Sequence, residues 1–173
     1  MTNVSVWDEN AQGQVDDESA PPLADDLPLT DTRVSLEEAQ RLFPRPLALP
    51  SSPPFGASLA RVDFLELVSE GDTVYVVGLT YDNGLKLVQQ TIPPGRDPDQ
   101  IIPAAPNLTR STQVNGIPAR GNDTGVSSSP TEEFSVPGQI YWRDSNVLYI
   151  VFGDGFSLEV LRMVAETVAP AQP

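Results

Sequence analysis

The sequence predicts an α+β fold: a single antiparallel, curved β-sheet of about six or seven strands, with an N-terminal and a C-terminal helix packed on one face. Three observations carry this. Runs with apolar residues at period two recur between residues 59 and 152. Turn dipeptides separate these runs at hairpin spacing, Asn83-Gly84 and Asn115-Gly116 being the plainest. Helical periodicity occurs only near the two ends, so there is no alternation of strand and helix of the kind that builds a parallel sheet. With 173 residues, 39% of them hydrophobic, the chain suits one domain of ordinary size.

Residues 1–33 are expected to form a flexible acidic leader. Its first 31 residues hold eight carboxylates and no basic side chain, and their apolar residues are too scattered to make a face. Trp7 is the one residue there suited to docking on the domain or a neighbour. The domain is expected over 34–169, with 170–173 as a tail. Ser35 reads as a helix N-cap, Glu38 closes a capping box, and Leu36, Ala39, Leu42 and Phe43 share a face until Pro44 and Pro46 end the helix. Five prolines between Pro44 and Gly56 make the next segment an extended connector unable to donate ladder hydrogen bonds.

Residues 59–68 form a strand with imperfect alternation, followed by strands over 73–81 and 85–92. Asn83-Gly84 between the last two fits a type I′ turn, in which both central residues need positive φ. After a Pro-rich stretch over 93–109, Ser111–Val114 and Ile117–Arg120 flank a second Asn-Gly turn, and Pro118 demotes the latter strand to an edge or a strand end. Gly, Ser, Thr, Pro and acidic residues make 121–138 a long loop. A third hairpin pairs Gln139–Arg143 with Val147–Phe152. Ser157 then caps a closing helix that turns Leu158, Leu161, Val164, Ala165 and Val168 toward the sheet.

Composition narrows the chemistry. The chain has no Cys and no His, which removes thiol nucleophiles, disulfides, sulfur or imidazole metal sites and imidazole bases. A formal net charge of -14 opposes binding to phosphate backbones, so no nucleic-acid partner is expected. No apolar run reaches membrane-spanning length. Asp82-Asn83-Gly84, Asn122-Asp123-Thr124 and Asp144 with Asp154 offer oxygen atoms of the kind calcium takes, but none has EF-hand spacing, and acidic turns are ordinarily just turns. The loop carboxylates Asp97, Asp99, Glu132 and Glu133 lack a setting that would shift a pKa toward acid-base work. No enzyme, cofactor, metal site or catalytic residue is therefore expected.

Four stretches carry a family resemblance: Thr112-Gln-Val-Asn-Gly-Ile-Pro-Ala119; Ile140-Tyr-Trp-Arg-Asp144; Val147-Leu-Tyr149; and Ser157-Leu-Glu-Val-Leu-Arg-Met-Val-Ala-Glu166. Together with the opening Ser35-Leu-Glu-Glu-Ala-Gln40 and the connector ending Leu49-Pro50, they resemble the bacterial domain of unknown function DUF4367 over roughly residues 34–169. The 121–138 segment and Gly153-Asp-Gly155 depart from that pattern. The resemblance implies an extracytoplasmic setting, in the cell envelope or secreted, of the kind found in anti-sigma-factor-like and lipoprotein-sorting-like proteins. Any membrane attachment would come through an anchor outside this sequence. It assigns no catalytic residues. The expected function is a noncatalytic sensing or protein-interaction domain of an envelope protein. The alternative is a carrier or receptor for a lipid or other apolar ligand on a concave sheet face. Tyr141, Trp142 and Tyr149, on paired strands, are the candidate ligand- or partner-binding residues.

Overall fold

The computed structural model describes residues 32–52, 56–69, 71–95, 110–128 and 133–170. Most of the acidic leader with Trp7, most of the Pro-rich 93–109 stretch, and residues 171–173 of the tail lie outside the described residues. Among the described residues the fold is α+β, with one open antiparallel sheet of seven strands and two helices on one side of it.

Helix α1 spans Leu36–Leu42, and the Ser35 hydroxyl accepts the Glu38 N–H at 3.1 Å as the capping pattern requires. Its buried side is narrower than expected: Ala39 and Phe43 are in the core, whereas Leu42 turns outward at 37% exposure. The connector also differs from expectation. Ala48–Pro50 forms strand β1, paired antiparallel with β11 (Val168–Pro170) at the far end of the chain. Its prolines are tolerated because each sits at a strand end, Pro50 opposite Val168 and Pro170 opposite Ala48.

The main sheet contains β2 (Leu59–Ser69), β3 (Asp72–Tyr81), β4 (Lys86–Thr91), β5 (Arg110–Val114), β6 (Ile117–Asn122), β9 (Gly138–Asp144) and β10 (Val147–Gly153). Their spatial order is β2-β3-β4-β10-β9-β6-β5. The Asn115-Gly116 turn is the expected one, with φ of 50° and 82°. The turn between β3 and β4 is not: only Gly84 has positive φ, and the Tyr81 N–H donates to the Leu85 carbonyl. Three residues, Asp82-Asn83-Gly84, make that turn, the longer hairpin form with glycine at the left-handed position. Strand β6 is interior, not an edge. Pro118 faces Gln113 one pair beyond the two-residue turn, so its nitrogen points away from β5 toward the β9 side. The ladder with β9 begins only at Ala119, so no donor is missed there.

The 121–138 segment is not one long loop. Strand β6 runs on through Asn122, and β7 (Gly125–Ser128) pairs with β8 (Glu133–Val136) as a separate ribbon. A ribbon outside the main sheet needs backbone partners and little apolar alternation, so its composition concealed it.

Helix α2 spans Leu158–Glu166 and buries Leu158, Leu161, Val164 and Ala165, as its periodicity predicts. Its start presses closely on the sheet. A Cβ at Gly138 would lie 2.2 Å from the Phe156 carbonyl oxygen, and one at Gly121 would lie 2.4 Å from the Leu158 side chain. The core beneath the helices joins Ala39, Phe43 and Leu161 to Val62, Val77, Leu79, Leu87, Ile140 and Val151. A second, smaller cluster of Ile92, Tyr141 and Leu148 lies on the opposite face.

Candidate interaction surface

Alternation along β9 and β10 divides the three aromatic candidates between the two faces. Trp142 and Tyr149 are cross-strand partners whose rings stack at 5.1 Å with planes 12° apart. Both belong to the main core, at 5% and 8% exposure. Burial pushes the Tyr149 phenol above its ordinary pKa, and the charge of Asp144 adds to this. Tyr141 lies on the other face at 4% exposure, packed with Ile92 and Leu148, and its hydroxyl has no hydrogen-bond partner among the described residues. The three side chains therefore do not converge on one surface.

The acidic turns are committed to backbone. Asp82 accepts the Ser58 N–H at 3.0 Å, and Asn83 accepts that of Leu85 at 3.1 Å. Asp123 accepts the N–H of Leu158, the first residue of α2, at 2.7 Å, and its other oxygen pairs with Arg110. One carboxylate thus joins the end of β6, the start of β5 and the positive end of a helix. Thr124 completes the junction, its hydroxyl donating to the Phe156 carbonyl and accepting the Gly138 N–H, both at 3.1 Å. On α2, Arg162 bridges Glu159 and Glu166 and holds the Glu159 carboxyl below its ordinary pKa. Among the described residues no three carboxylates gather as metal ligands would.

The exposed apolar surface lies at the start of the sheet. Strands β2 and β3 pair over their whole lengths, but β4 meets β3 only from Val76 to Thr80. The rest of the hairpin extends past β4 as a two-stranded arm. Near its tip Leu67 is 41% exposed and Val68 70%, while Phe64, Leu65, Val74 and Tyr75 are half-buried. Phe64 and Tyr75 steady the base of the arm with ring centroids 6.2 Å apart. Adjacent residues of a strand point to opposite sides, so Leu67 and Val68 leave apolar surface on both faces. The signal was present in the sequence: the imperfect alternation of residues 59–68 ends in Leu67-Val68, two neighbours that one covered face cannot both bury.

Strand β2 is also one of the two edge strands of the main sheet, with β5 at the other end. Its outer edge receives residues 32–34: the Val34 N–H donates to the Val62 carbonyl at 3.1 Å, and the Phe64 N–H donates to the Thr32 carbonyl at 2.9 Å. Arg33 stands opposite Asp63 between these bonds. Asp63 is 3% exposed and its carboxylate takes Arg61 Nε and Nη2 at 2.7 Å, which raises the Arg61 pKa. Beyond this point no described strand pairs with the outer edge of Leu65–Ser69.

Comparison with protein-family models, with curated proteins and with solved structures finds no match for the chain. No helix among the described residues is long and apolar enough to cross a membrane.

Proposed function

We propose that this chain is a noncatalytic sensing or protein-interaction domain and that it meets its partner through the β2–β3 arm. The observation that carries the reading is the pair Leu67 and Val68, exposed side by side on a strand whose outer edge is open among the described residues. Such an edge offers a partner both main-chain hydrogen bonds and apolar side chains. The commitment of Asp82, Asp123 and Glu159 to backbone bonds and ion pairs supports a noncatalytic role. The placement outside the cytoplasm, in a bacterial envelope protein, rests on the resemblance to DUF4367.

Photo-crosslinking tests this reading. A photoreactive residue at position 68 is expected to capture one protein partner in the source cells, and Leu67→Lys should abolish the capture. The same group at Met163, 58% exposed on α2, provides the comparison. Products at position 68 that match those at 163 would dismiss the arm as the contact surface. Lipid adducts at 68 would support the carrier reading instead.

A further inference from the structure

We propose that the partner of the β2–β3 arm is an extended strand carrying a lysine or arginine between two apolar residues, and that it pairs antiparallel with the open stretch of β2, its cation opposite Glu66. The proposal rests on the reading of the arm as the contact surface and names the chemistry of what the arm takes.

The backbone fixes where such a strand pairs. The Val62 carbonyl and the Phe64 N–H point outward to residues 32–34, so by alternation the backbone groups of Glu66 and Val68 also face out. No described strand or bridge meets them. An antiparallel strand bonded to Glu66 exchanges N–H and carbonyl with it through one residue, whose side chain stands directly opposite Glu66. The two neighbours of that residue fall opposite Leu65 and Leu67.

The side chains fix what the strand must carry. Leu65 and Leu67 share a face with Val76 and Val74, their partners on β3, and the four make an apolar strip. Glu66 lies on the other face, opposite Tyr75 and flanked by Phe64 and Val68. It is exposed and makes no ion pair with a described residue. Residues that extend the strip beside Leu65 and Leu67 are therefore apolar, while the residue between them meets a carboxylate set among apolar groups. A lysine or arginine there answers the charge and lays its aliphatic stem over Phe64 and Val68. Residues 65–75 hold three acidic side chains and no basic one, in a chain of net charge -14. That field selects a basic strand over an acidic one. A second copy brings the same carboxylates and no cation to the edge, which makes it the poorer occupant.

Two blocked synthetic peptides test the proposal, one with Val-Lys-Val at its centre and threonines on either side, the other with glutamate in place of the lysine. In an NMR titration of the full chain at low salt, the lysine peptide is expected to move the Glu66 and Val68 amides and to bind about three- to tenfold more tightly than the glutamate peptide. Raised salt should narrow that preference. Glu66→Gln should bring the two peptides level, and Glu66→Lys should reverse their order. Amides of α2 that keep their positions report an intact fold in both variants. Peptides that bind alike to the unaltered chain, or a preference that Glu66→Lys fails to reverse, overturn the proposal and leave the arm as the contact surface. No shift at Glu66 and Val68 with either peptide also overturns it, and crosslinking at position 68 then decides separately whether the arm meets a protein at all.

Discussion

Gln89 lies on β4 facing the helices, fully buried, and its amide spans both backbone groups of Ala48: Oε1 accepts the N–H and Nε2 donates to the carbonyl, each at 2.8 Å. Ser51 donates to the Thr167 carbonyl, so by alternation Ala48 and Pro170 form a non-hydrogen-bonded pair; Ala48 turns both backbone groups away from β11, and the glutamine satisfies them. Gln89→Leu keeps the bulk and orphans both groups, and is expected to cost about 2 kcal/mol or more in urea unfolding. Leu161, fully buried at the centre of α2, should cost about 2–5 kcal/mol as Leu161→Ala. Burial raises the pKa of Tyr81 and Tyr149 above their ordinary value near 10. The folded state therefore holds these protons more tightly than the unfolded state. Their contribution is complete below pH 10 and is lost as pH rises above it. Melting temperature should fall through that alkaline range, and Tyr81→Phe with Tyr149→Phe should flatten the fall.

At the scale of elements, the start of α2 is fixed by what it leans on. Gly138→Ala would drive a methyl into the Phe156 carbonyl, and a shift of that segment also disturbs the Thr124 and Asp123 bonds to it. A cost of about 1–3 kcal/mol is expected in the same unfolding measurement. The elements legible in the sequence were those with their own periodicity or cap: α2 with its stripe of Leu158, Leu161, Val164 and Ala165, the Asn115-Gly116 hairpin, and the strands around them. Those that escaped carry no apolar periodicity of their own and are held by backbone pairing or by a distant side chain. Strand β1 exists because Val168–Pro170 and Gln89 meet it, and β7 with β8 because backbone pairs with backbone. The candidate site divides in the same way. Aromatic content at Tyr141, Trp142 and Tyr149 was visible, but aromatic strands at the middle of a sheet are taken up by its two packed faces. Exposure at Leu67 and Val68 depends on β4 stopping short, and strand length relative to a neighbour is not a local property of sequence.

For the whole molecule, charge and shape meet at the β2 edge. Residues 1–31 carry eight of the 24 acidic side chains and none of the ten basic ones, so the remainder has a net charge of -6 against -14 for the full chain. The leader's charge keeps copies apart by repulsion, which salt screens over about 10 Å at 0.1 M. Leu67 and Val68 leave the β2 edge open to a second copy. In sedimentation velocity a chain lacking residues 1–31 is therefore expected to associate as concentration rises, and the full chain to do so only when salt is raised enough to screen the leader. Val68→Asp in the shortened chain should restore the monomer. If the shortened chain stays monomeric at every concentration, the edge is not an association surface at all.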